Sequence, residues 1–91
     1  MSGTVALKMK ILPTGLDIDL KEIEKHALHA MESFKAKNIS FLQEPIAFGL
    51  KAIVISCAWP EETSVDEIEN KLNAIKGVSS SEVIDYRRAF G

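Results

Sequence analysis

Between Thr4 and Leu12 the apolar residues fall at every second position: Val5, Leu7, Met9 and Ile11 alternate with Ala6, Lys8 and Lys10. A period of two puts the first set on one side of a strand and the second on the other, so the segment reads as half-buried, with one wetter face. Pro13-Thr14-Gly15 breaks it. The period then lengthens. Leu20, Ile23, Ala27, Ala30, Met31 and Phe34 recur at helical spacing, which predicts a helix over 19–35. Asp19 stands in the N-cap position, with Glu22 three residues later in a box-like arrangement. Ala36-Lys37-Asn38 ends this helix, and 39–46 is a weaker extended segment. Pro45 cannot donate a ladder hydrogen bond, so that segment belongs at an edge or a bulge. The most continuously apolar run follows, from Leu50 to Trp59, interrupted only by Lys51 and Ser56. With Ile53, Val54 and Ile55 at its centre and Gly49 and Pro60 at its limits, it reads as a strand covered by neighbours. The hinge from Pro45 to Gly49 hangs Phe48 at the end of the sheet.

Ser64 and Glu67 frame a second capping box. Val65, Ile68, Leu72 and Ile75 line one face of the helix it starts, and Gly77 is the expected stop. The last strand is expected over 82–90, from the β-prone residues Val83, Ile84 and Tyr86. Strict alternation there groups Arg88 with Ile84, Tyr86 and Phe90, and Arg87 with Val83, Asp85 and Ala89. The order β-α-β-β-α-β predicts an α+β, ferredoxin-like sandwich: a four-stranded antiparallel sheet with two helices on one face. Right-handed crossovers put the first and third strands in the middle. The other sheet face is left open, with Ala6, Lys8 and Lys10 on it.

Composition narrows the function classes. Ninety-one residues make one domain over 1–91, with 46% hydrophobic and 26% charged residues. A formal net charge of −2 argues against a nucleic-acid footprint. The open-face residues of the first strand are not aromatic, which disfavours base stacking in the manner of RNA readers of this fold. No apolar segment approaches about 18 residues and the N-terminus lacks a signal-peptide pattern, so neither a membrane nor export is expected and the cytoplasm is the expected compartment. Cys57, the single cysteine, lies inside the apolar run and reads as a core residue.

The sequence offers little candidate chemistry. His26 and His29 are three apart on a helix, but His29 points away from the apolar face and no further ligand is placed to finish a metal site. The acids Asp17, Asp19 and Glu22, and Glu61, Glu62, Asp66 and Glu67, sit at helix starts, where the dipole favours them. The five glycines are scattered, so no phosphate loop exists, and Ser79-Ser80-Ser81 has no base nearby in sequence. The expectation is a protein that is not an enzyme and needs no cofactor or metal. The unusual stretch is Asp85 to Gly91, where Tyr86, Arg87, Arg88 and Phe90 have the composition of a protein-interface anchor.

Two stretches carry a family resemblance. Glu44-Pro45-Ile46-Ala47-Phe48-Gly49-Leu50-Lys51-Ala52 and Gly77-Val78-Ser79-Ser80-Ser81-Glu82-Val83-Ile84-Asp85-Tyr86-Arg87-Arg88-Ala89 resemble the signature stretches of the archaeal elongation factor 1-beta family. The likeness extends over essentially the whole chain. It implies a guanine nucleotide exchange factor that promotes GDP release and GTP loading on elongation factor 1-alpha during translation elongation. The implied partner is that GTPase in its GDP-bound and nucleotide-free states, without direct contact to nucleic acid. Eukaryotic relatives carry a penultimate lysine that is pushed towards the GTPase's magnesium and phosphate site, and this position matches Arg88. The family's hinge phenylalanine, which packs on the GTPase, matches Phe48. Tyr86, Arg87 and Phe90 are assigned to partner binding beside them. The chain departs from the pattern in having arginine for lysine and three residues after it. The rival reading is a ferredoxin-like small-molecule or metal-sensing module that dimerises through its open sheet face. An acylphosphatase-type enzyme is disfavoured because Leu12-Pro13-Thr14-Gly15-Leu16 holds no basic residue.

Overall fold

The alternating N-terminal segment forms β1 (Thr4–Pro13), and the helical period forms α1 (Leu20–Ser33). A hairpin of β2 (Lys37–Pro45) and β3 (Lys51–Pro60) follows, then α2 (Val65–Asn73) and β4 (Val78–Arg88). The computed structural model describes residues 3–88. The four strands are antiparallel in the order β2-β3-β1-β4, the ferredoxin-like α+β topology, with β1 and β3 central.

The register explains the core. Val5, Leu7, Met9 and Ile11 pair with Trp59, Cys57, Ile55 and Ile53, so both central strands turn their largest apolar side chains to the helices. There they meet Ile23, Ala27 and Met31 of α1 and Ile68 and Leu72 of α2, all buried. Each such Leu, Ile or Met contributes roughly 1.5–3 kcal/mol of hydrophobic stabilisation. On the open face Ala52 and Val54 are also shielded from water. The Lys10 Nζ to Glu44 Oε1 ion pair, 3.4 Å, crosses β3 at their level from β1 to β2.

The helix ends follow local chemistry. The Asp19 and Ser64 side chains accept from the backbone N–H groups of Lys21 and Asp66, at 3.0 and 3.1 Å. At the end of α1, Ala36 N–H donates to the Met31 carbonyl and Lys35 N–H to that of Glu32, with Lys35 left-handed at φ 67°. This is a Schellman closure on a residue other than glycine. After α2, Gly77 adopts φ 95°, and an added Cβ would lie 2.9 Å from Ile18 Cγ2, so both conformation and space demand glycine.

Two expectations need correction. β4 begins at Val78 rather than at 82, because Val78 is buried opposite Pro13, and the Ser81 hydroxyl donates to Asn73 Oδ1 at 2.8 Å. The polar serines therefore run along the strand, ahead of its expected start. Strict alternation in β4 also fails. Lys8 pairs with Asp85 but Met9 with Val83, so Ile84 is the extra residue of a bulge. Val83 thus joins the face of Tyr86 and Arg88 and packs on the core, whereas sequence alternation had grouped it with Arg87.

Candidate functional site

The residues singled out in the sequence fall at two opposite ends of the sheet. The first end is the β2–β3 hairpin. Leu50 N–H donates to the Ala47 carbonyl at 3.0 Å, and the two central residues, Phe48 and Gly49, have φ 57° and 80°. Positive φ at both defines a type I′ turn, a geometry that Asn-Gly or Gly-Gly adopts readily. A phenylalanine held left-handed costs roughly 1–2 kcal/mol. Its ring recovers nothing from the fold, since Phe48 is 93% exposed. Leu16, also largely exposed, lies alongside: its Cδ2 would be 3.3 Å from a Cβ placed on Gly49. A strained, fully exposed aromatic with a second apolar side chain at its base points to a contact surface.

The second end is where β4 finishes. Arg88 pairs with Val5, which pairs on its other side with Trp59. Trp59 is fully buried, donates its indole N–H to the Thr63 carbonyl at 2.9 Å, and has its ring 5.7 Å from that of Phe34. The guanidinium above this base is largely exposed, and its Nη2 lies 2.9 Å from Glu61 Oε2. Arg87 goes to the other face: it pairs with Ala6, and its Nε donates to Asp85 Oδ1 at 3.2 Å. Tyr86, half-exposed opposite Leu7, shares the face of Arg88. Lys35 and Lys37 line a shallow depression at this end with Thr4, Pro60 and Glu62.

The structure therefore brings Tyr86, Arg87 and Arg88 together but does not bring Phe48 to them. From Trp59 to Lys51 the strand runs about 27 Å at roughly 3.4 Å per residue. Phe48 lies beyond that, on a molecule 44 Å in its long dimension. Phe90 lies outside the described residues. Glu61 was read in the sequence only as a helix-start acid; its pairing with Arg88 depends on the β1–β3 and β1–β4 registers, which no local pattern encodes.

His26 lies 4.0 Å from Glu22 on the exposed surface of α1. Among the described residues no group of three or more His, Cys, Asp and Glu side chains could hold a metal ion. Cys57 is buried on the helix side of β3, where desolvation pushes its thiol up from 9.0 to about 11, well away from a reactive thiolate. Among the described residues no helix is long and apolar enough to cross a membrane.

Comparison with known proteins supplies a context for this geometry. A family model described as the EF-1 guanine nucleotide exchange domain matches residues 6–88, a range that holds both ends of the sheet. Elongation factor 1-beta of Methanococcus vannielii is 35% identical over 84 residues, spanning 91% of this chain and 94% of the relative. The protein of the same name from Archaeoglobus fulgidus is 35% identical over 85 residues, with the same coverage. That from Staphylothermus marinus is 38% identical over 82 residues, covering 87% of this chain and 89% of the relative.

Proposed function

The chain belongs to the EF-1 guanine nucleotide exchange domain family, and from that premise we propose that it releases GDP from the elongation factor 1-alpha GTPase so that GTP can load during translation elongation. The observation that carries the reading is Arg88, a cation with an exposed guanidinium at the end of the sheet where Val5 and Trp59 are buried.

A GTPase of this kind holds GDP through its phosphate-cradling loop and a magnesium ion clamped by Ser/Thr and Asp oxygens. Exchange makes and breaks no covalent bond. The factor has only to bind the nucleotide-free state more tightly than the GDP-bound state, and the coupling is reciprocal. Arginine is charged at every physiological pH. Brought to the magnesium position, Arg88 would repel the metal and compete for its carboxylate ligands, and each 1.4 kcal/mol or so of differential binding weakens GDP about tenfold. Tyr86, on the same face, and Arg87, on the open face, would contact the rim.

Phe48 has a separate task in this scheme. It lies at the other end of the sheet, so it docks on a different part of the same partner, and the partner must span the long dimension of the molecule. Division of labour follows: Phe48 supplies affinity, and Arg88 acts on the nucleotide site.

The test is GDP release from elongation factor 1-alpha loaded with a fluorescent GDP, followed as this protein is titrated in. Arg88→Ala is expected to lower the maximal release rate about tenfold, equivalent to about 1.4 kcal/mol, while the half-saturating concentration stays within twofold. Release by Arg88→Ala at the wild-type rate would refute the cation mechanism.

A further inference from the structure

Given that Arg88 promotes exchange as proposed above, we propose that Glu61 is its positioning residue, a carboxylate that selects and holds the side-chain conformation in which the guanidinium is offered to the partner. Glu61 directly follows β3 and Arg88 ends β4, the two strands that flank β1, and their side chains meet near the start of β1. Glu61 is firmly mounted. Its N–H donates to the Gly3 carbonyl at 3.0 Å, Thr63 N–H donates to the Pro60 carbonyl at 3.1 Å, and the Thr63 carbonyl in turn receives the Trp59 indole. The Glu61 side chain is 28% exposed against 76% for Arg88, so the acid is the fixed partner and the base the mobile one.

The shape of the contact suits presentation rather than sequestration. Glu61 Oε2 takes Nη2 at 2.9 Å, while Oε1 leans over the Gly3 backbone, 3.6 Å from where a Cβ would stand. One oxygen of one carboxylate thus engages one of the five N–H donors, and most of the guanidinium fork faces solvent. An arginine otherwise has many rotamers, and ordering them on docking weakens the complex in which the charge acts. An ion pair this exposed is weak enough to yield to a carboxylate of the partner. Ordering therefore outweighs competition, and the net effect of Glu61 is to speed release.

The experiment uses the full chain in the fluorescent-GDP assay, with Glu61→Ala, Glu61→Gln, Arg88→Ala and the double variant Glu61→Ala/Arg88→Ala. Loss of a pair of this exposure is expected to lower the maximal release rate about 3- to 5-fold in Glu61→Ala and Glu61→Gln, with an unchanged half-saturating concentration. The double variant is expected to be no slower than Arg88→Ala, because a positioning residue has nothing to act on once its target is gone. Glu61→Gln keeps the side chain's shape and the Gly3 contact, so it carries the test should Glu61→Ala unfold. A wild-type or faster rate in Glu61→Gln, or a loss that persists in the Arg88→Ala background, overturns the assignment. Should Arg88→Ala itself exchange at the wild-type rate, the exchange mechanism falls and the role of Glu61 with it.

Discussion

At one end of the sheet Trp59 is fully buried, hydrogen-bonded through its indole and packed near Phe34; at the other, Phe48 stands almost wholly in solvent on a two-residue turn. The first end is tied from several directions: the Schellman closure at Lys35, the Glu61 to Gly3 backbone bond and the Val5 pairings on both sides all converge there. The second has fewer ties: hairpin backbone bonds between Ile46 and Leu50 and between Leu50 and Ala47, with the largely exposed Leu16 against Gly49. On the proposed function, the contrast separates two ways of building a contact residue. A charge meant for a defined position needs a rigid base, because a displacement of an ångström dissipates its effect. An apolar anchor needs only to be exposed and available, since hydrophobic contact is not directional.

Three perturbations bear on that contrast, in descending size. Trp59→Ala removes the base of the tied end and is expected to cost about 3–5 kcal/mol, a large part of the stability of any small domain. Urea denaturation measures it, and a loss under about 1 kcal/mol would mean that the two ends do not differ as described.

The second concerns Cys57, two residues before Trp59 on the same strand. Its thiol is raised from 9.0 to about 11, so the fold favours the protonated form. The stability this represents is intact below pH 9 and is lost as pH rises through 9 towards 11, by about 2 kcal/mol. Denaturation curves of the wild type and Cys57→Ala across that range should converge as the pH rises; parallel curves would show that the thiol does not titrate differently in the two states.

The smallest is at the exposed turn. Phe48→Asn places Asn-Gly in the type I′ geometry and should stabilise the free protein by about 1 kcal/mol, raising the thermal midpoint by about 4–8 °C. The same change should weaken docking to the GTPase by about tenfold, an ordinary loss for a buried aromatic anchor. A drop in the thermal midpoint would show that Phe48 packs within its own domain.

Most of the scaffold was legible because periodicity is a local signal. The period of two through Val5, Leu7, Met9 and Ile11 and the helical recurrence from Leu20 to Phe34 each fix which face is buried, and the element order then leaves one sheet topology. What was lost involved residues for which local signals conflict. Val83 and Ile84 are both apolar, so nothing in the sequence marks one of them as the extra residue of a bulge. The expected strand over 82–90 omits Ser79, Ser80 and Ser81 because the partners that satisfy an edge strand, among them Asn73, lie in another element. Phe48 stands out in the sequence through the family resemblance, and its left-handed backbone becomes visible only in the turn. The Arg88–Glu61 pair was hidden because it is a product of two strand registers taken together.

The bulge at Ile84 has one further consequence. β4 forms an outer border of the sheet, where unpaired backbone groups can recruit a strand from another molecule. The extra residue interrupts the even spacing of those groups, and Glu82, Asp85 and Arg87 place charges along the same border. Together they make poor templates for strand addition, so the segment that carries Arg88 resists aggregation while remaining uncovered.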